Sequence, residues 1–252
     1  MPHRSQVQPV ADIAVVPTPA RRNRWSAAGY GWLGFSALAI AVVAVTPYLT
    51  ASLTDLSHED NDFAATYARQ ASWVQVMFYM HITFGGVALV LSPAQLSARM
   101  RRRSPRVHRA IGRIVLVSIV VSGAGGAVLA PISQAGAIGT AGFGALAVLW
   151  VTTAALAFTA IRRGDVRRHR QWAIRMFSLT YAGVMLRLWL GVLLIAQIAG
   201  MGVSEDVAFD RAYQLMPFLS WVPNLLVAEH LLRWLVGKAA RTAVPAGPSV
   251  RR

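Results

Sequence analysis

Ten polar side chains stand inside or at the mouths of long apolar runs: His81, Gln95, His108, Arg113, His169, Arg175, Arg187, Asn224, Glu229 and His230. Their types suit three chemistries. Imidazoles on neighbouring helices ligate a haem iron, and here His81 is followed by Gly85 and His108 by Gly112. Residues four apart share a helix face, so each glycine leaves room for a flat macrocycle beside the ring. His81, His108, His169 and His230 are the candidate cofactor ligands, with no second imidazole at the depth of His81. Second, an arginine and a histidine at one depth, Arg187 and His81, suit binding of a small solute or passage of a proton. Third, Glu229 paired with Arg175 or Arg113 lowers the cost of burying either charge. Each group also has a purely structural use, since packed polar side chains join membrane helices.

The stretches VHRAIGRI (107–114) and RRHRQWAIRM (167–176) raise a related question. In both, a histidine is surrounded by arginines at the start of an apolar run. Attraction to anionic lipid headgroups, worth about 1 kcal/mol per basic residue, accounts for the arginines. It accounts less well for His108 and His169, which suit an anion or cofactor phosphate needing hydrogen-bond donors, or haem.

These residues must be positioned by elements that live in lipid. The chain has 252 residues, 55% hydrophobic and only 14% charged, whereas soluble domains carry about a quarter charged residues. Six apolar segments, 31–49, 74–96, 111–132, 143–161, 173–199 and 213–235, are each long enough to cross a hydrocarbon core of ~30 Å. Only helices satisfy their own backbone within single segments of that kind. The expectation is an all-α membrane protein: a bundle of six transmembrane helices over 25–237, between a disordered tail (1–24) and a basic tail (238–252). The net charge of +15 falls in clusters between apolar runs, which argues against nucleic acid. Without cysteine, disulfides and thiolate metal sites are excluded. The basic clusters 21–24, 99–109 and 162–170 and the C-terminal tail alternate with acidic loops carrying Asp55, Glu59, Asp60 and Asp62, then Glu205, Asp206 and Asp210. The positive-inside bias then puts both termini in the cytoplasm, in a bacterial cytoplasmic membrane.

Helical rise sets the depths. Arg187 lies about 21 Å beyond residue 173, and His81 about 10 Å beyond residue 74, so the two share outer-to-middle depths. Tyr79, Trp189, Gln197 and Gln214 are candidate lining residues there. Glu229 lies about 24 Å below the start of its segment, near Arg175 and Arg113. Pro217 and Pro223 are expected to kink the sixth helix and free carbonyls around Asn224. No activated nucleophile, facing carboxylate pair or H-E-x-x-H helix is present, so no catalytic residue is assigned. His58, Glu59 and Asp60 read as a solvated acidic loop, and no metal site is expected.

HITFGGVALVLSPAQ (81–95), HRAIGR (108–113), GDVRRHRQW (164–172) running into AIRMFSLTYAGVMLR (173–187), and WVPNLLVAE (221–229) together resemble the bacterial "predicted membrane protein" family of unknown function. The resemblance covers about residues 74–235 and implies a multi-helix membrane protein without a particular activity. It draws attention to His81, Gln95, His108, Arg113, His169, Arg175, Arg187, Asn224 and Glu229. A fainter similarity, carried by the His-x3-Gly turns, is to two-haem cytochromes of the b561 and ferric-reductase type. The expected function is that of a multi-pass membrane protein with an intramembrane His/Arg/Glu site, binding haem b or interacting with quinone in a redox role. The alternatives are a small-solute or proton transporter and a non-catalytic scaffold of a membrane complex. Lipid is the expected partner, with anionic headgroups at the basic loops.

Overall fold

The computed structural model describes residues 24–58 and 62–243. Glu59, Asp60 and the expected tails, save Arg24 and residues 238–243, lie outside the described residues. All regular structure among the described residues is helical, and six helical stretches are long and apolar enough to cross a membrane. Four are continuous: α1 (Arg24–Thr50), α4 (Ser72–Gln95), α6 (Pro105–Leu129) and α7 (Gly136–Arg162). Two are broken. The fifth comprises α8 (Val166–Thr180) and α9 (Ala182–Met201), and the sixth α10 (Glu205–Leu219) and α11 (Val222–Ala243). Short helices α2 (Leu53–Ser57) and α3 (Asp62–Ala68) join α1 to α4, and α5 (Ala98–Arg103) joins α4 to α6.

Local chemistry sets these limits. Pro105 stands in the first turn of α6, where its missing N–H costs nothing. Gly164, at φ +78°, turns the chain between α7 and α8, and the Asp165 side chain accepts from Arg168 N at 2.8 Å to cap α8. Gly202, at φ +63°, ends α9 in the left-handed conformation. The fifth and sixth spans begin earlier than their apolar runs because VRRHRQW and EDVAFDR form amphipathic first turns that hydropathy alone passes over.

Apolar side chains point outward around the bundle: Phe35, Val43, Val148, Ile195 and Val227 are all exposed. In water such a surface would aggregate. In a bilayer it is the lipid-facing surface, and the chain is a multi-pass membrane protein. The closest packing joins α4 to α6. Glycines permit it: a Cβ on Gly125 would stand 2.7 Å from the Met77 carbonyl oxygen. At the end opposite the basic loops, α2 and α3 cover an aromatic cluster in which Phe78 meets Tyr48 at 5.0 Å and Tyr67 at 4.9 Å between ring centroids. Leu53 N donates to the Tyr79 hydroxyl at 3.1 Å and ties the cap to α4.

The two breaks fall at matched places. The sixth span breaks at Ser220–Trp221, between Pro217 and Pro223, as their missing amides require. The fifth breaks at Tyr181, which has no proline beside it. Asn224 joins the two: its Nδ2 donates to Ser178 O at 3.3 Å and to Ser220 O at 3.1 Å. Trp221 Nε1 donates to Pro217 O at 2.6 Å, and Trp150 Nε1 to Thr180 Oγ1 at 2.9 Å. The half-helices pair accordingly, α8 with α11 at the basic end and α9 with α10 at the other.

Candidate functional site

The polar residues form two groups, one per half of the bundle. In the half away from the basic loops, His81 on α4 faces α6. Its Nδ1 lies 2.8 Å from Ser122 O, while Ser122 Oγ donates to His81 O at 2.8 Å. This reciprocal pair locks α4 to α6 and orients the ring over Gly126, where a Cβ would stand 3.0 Å from Nδ1.

Arg187 projects from α9. Its NH1 donates to Gly183 O, one turn back on its own helix, at 3.1 Å. The ion pairs among the described residues are Arg168–Asp165 and Arg175–Glu229, so no carboxylate neutralises Arg187. It lies within electrostatic reach of Tyr48 on α1, His81 on α4 and Tyr213 on α10. Tyr67, from the α3 cap, lies within reach of Tyr48 and Tyr213. Burial pushes the Tyr67 phenol far above the usual tyrosine range, so it stays protonated and able to donate. One guanidinium, one imidazole and three phenols from five elements are thus linked by electrostatic reach, although Arg187 itself stays exposed, with most of its donors unused. Of the expected lining residues, Tyr79 serves the cap, and Gln197 ties α9 to α10 through Ala208 O at 3.2 Å. Trp189 Nε1 is buried without a partner, and Gln214 is exposed. Sequence reasoning missed Tyr48, Tyr67, Tyr213 and Ser122, which carry no formal charge to mark them as costly in lipid.

In the basic half, Arg175 meets Glu229 through Nε to Oε1 at 2.5 Å and NH2 to Oε2 at 2.9 Å. The Trp172 ring covers the guanidinium at 4.7 Å. Arg175 therefore takes the role for which Arg113 was the other candidate; Arg113 is exposed on α6. Nearer the basic surface, His169 Nδ1 lies 2.9 Å from Ala157 O. Arg101 NH1 donates to Gln95 O at 3.1 Å and Leu96 O at 2.9 Å. Gln95 Nε2 and His108 Nδ1 are buried without partners. His230 is exposed and joins neither group.

Side chains from neighbouring helices stand against the two glycines. A Cβ on Gly85 would stand 3.0 Å from Ser122 Oγ, and one on Gly112 3.2 Å from Gln95 Oε1. Both glycines serve helix contact. Among the described residues no group of three metal-ligating side chains occurs.

A family described as "Predicted membrane protein (DUF2306)" matches residues 78–232, well over half of the chain. The chain belongs to this family. No curated protein and no solved structure matches it. The DUF2306 match runs from α4 into α11 and takes in all ten polar residues, from His81 to His230. It leaves out α1 and the α2–α3 cap, so Tyr48 and Tyr67 are supplied from beyond the matched region.

Proposed function

We propose that this protein carries a small anionic solute across the membrane and binds it at Arg187. One observation carries the reading: a guanidinium within a membrane span has a single hydrogen bond, to its own helix, and no carboxylate partner among the described residues. A charge at that depth is expensive on its own, by about 2.5–3.5 kcal/mol even on insertion scales. A bound carboxylate or other oxyanion offsets that cost, and Tyr213 and His81 stand within electrostatic reach of the same guanidinium. The aligned breaks supply the motion that a carrier needs, since discontinuous helices commonly form transporter sites. Haem b and quinone redox roles have no comparable support in the geometry.

In this reading the basic loops face the cytoplasm of a bacterial cell, with both termini inside. Their arginines then hold anionic lipid headgroups, and the Arg187 site lies in the outer half. The test is reconstitution into liposomes on a solid-supported membrane, with acetate, benzoate, nitrate and inorganic phosphate as probes. At least one probe is expected to evoke a transport current in the parent protein that Arg187→Gln abolishes and His81→Gln weakens. Currents equal in parent and Arg187→Gln, or none with any probe, would sink the proposal.

A further inference from the structure

The basic end holds a second unsatisfied arrangement, independent of Arg187. Gln95 ends α4, with its Oε1 beside Gly112 of α6, and His108 stands one helical turn before that glycine on the same face. Gln95 Nε2 and His108 Nδ1 are both buried and both lack a partner. Buried polar atoms in native proteins nearly always have one. An amide nitrogen only donates, so the group absent from Gln95 is an acceptor.

The surroundings specify its charge. Arg101, His169 and Arg109 all lie within electrostatic reach of His108. Arg101 is fixed over the end of α4 by NH1, on Gln95 O and Leu96 O, with the rest of its fork unused. His169 is fixed by Nδ1 on Ala157 O, which leaves Nε2 unbonded. The Asp165 carboxylate at this end is engaged by Arg168 N at 2.8 Å and Arg168 Nε at 3.7 Å. The α6 N-terminus, beginning at Pro105 beside His108, adds the positive end of a long helix.

We propose that Gln95 and His108, with Arg101 and His169, bind a phosphate group at the basic end of the bundle. Its source is an anionic phospholipid headgroup or free inorganic phosphate. The site is discrete, and so differs from the diffuse attraction that exposed arginines exert on any anionic surface. Gln95 supplies the inner donor and His108 a second donor through Nδ1. Arg101 supplies charge, and His169 closes the site from α8.

Native mass spectrometry of the full chain, released from neutral detergent, tests this. One arm offers phosphatidylglycerol against excess phosphatidylcholine. The other offers inorganic phosphate with no charged lipid present. Retention of phosphatidylglycerol alone identifies the headgroup as source, and a phosphate adduct identifies the free ion. Gln95→Glu replaces the donor by an acceptor of the same shape, and His108→Gln replaces the ring. Each is expected to weaken the adduct about tenfold or more, the usual loss for one hydrogen bond to a charged group. Arg103→Ala with Arg106→Ala, both exposed, is expected to change it by less than about threefold, as surface charges do. Gln95→Glu checks His108→Gln against misfolding, since its shape is unchanged. Adducts equally strong in parent, Gln95→Glu and His108→Gln, or absent in both arms, would overturn the proposal.

Discussion

Arg175 and Glu229 meet across α8 and α11 through two parallel hydrogen bonds of 2.5 and 2.9 Å. Their side chains keep 22% and 30% of their surface exposed, so the pair is neither fully buried nor freely solvated. It clamps the same half-helices that Asn224 joins through Ser178. Glu229→Gln and Arg175→Gln are each expected to lower unfolding stability by about 2 kcal/mol, below the range for fully buried pairs because solvent screens part of the interaction. The double variant should lose clearly less than the sum. Denaturant unfolding in detergent measures all three, and strict additivity would show that the two residues do not act as a pair.

Asn224→Leu removes the amide that serves both breaks. The expected loss is about 1–2 kcal/mol, since two carbonyls forfeit a donor. Hydrogen exchange should quicken around residues 181–184 and 221–225 and stay unchanged in α4 and α6. Uniform quickening across the bundle would contradict a hinge role.

The α4–α6 contact depends on absent side chains. Gly125→Val is expected to cost about 1–3 kcal/mol by overpacking, because even a Cβ would press on the Met77 carbonyl. Gly144→Ala, on α7 with nothing within 4 Å of a new Cβ, should raise stability by about 0.5–1 kcal/mol through helix propensity. Thermal melts of the two variants should therefore move in opposite directions.

Asp55 gives a pH test outside the membrane. It forms a capping box with Ser52, whose hydroxyl and backbone N–H bind its carboxylate at 2.6 and 3.1 Å. These bonds hold its carboxyl below the usual aspartate value. A depressed folded value stabilises α2 at pH above the unfolded value, and that support is lost as pH falls through the folded one. Aspartate-labelled carbon NMR should show Asp55 titrating below 3.8 in the parent and moving upward in Ser52→Ala. An unchanged value in that variant would refute the cap.

The spans were legible because each buries its backbone within one apolar run, and the sixth-span break because proline announces it. The fifth-span break was not, since Tyr181 and its neighbours are ordinary helix formers held apart by a distant asparagine. Depth narrowed the partner of Glu229 to Arg175 or Arg113, and packing selected Arg175. The His81–Ser122 bond did not: a serine facing a carbonyl leaves no periodic trace. Gly85 and Gly112 were legible as spaces but not as spaces already filled, because Ser122 and Gln95 arrive from other helices. The tyrosines near Arg187 were illegible for a similar reason, being unremarkable near membrane surfaces and brought together only by packing.

The matched breaks have a mechanical consequence. A continuous span answers a thinner bilayer by tilting as a rod. The fifth and sixth spans have a joint, so the same compression changes the angle between their halves. The α9–α10 pair carries Arg187 and Tyr213 on the far side of that joint. Such a change of angle would alter the spacing between those residues and His81, which sits on the continuous α4.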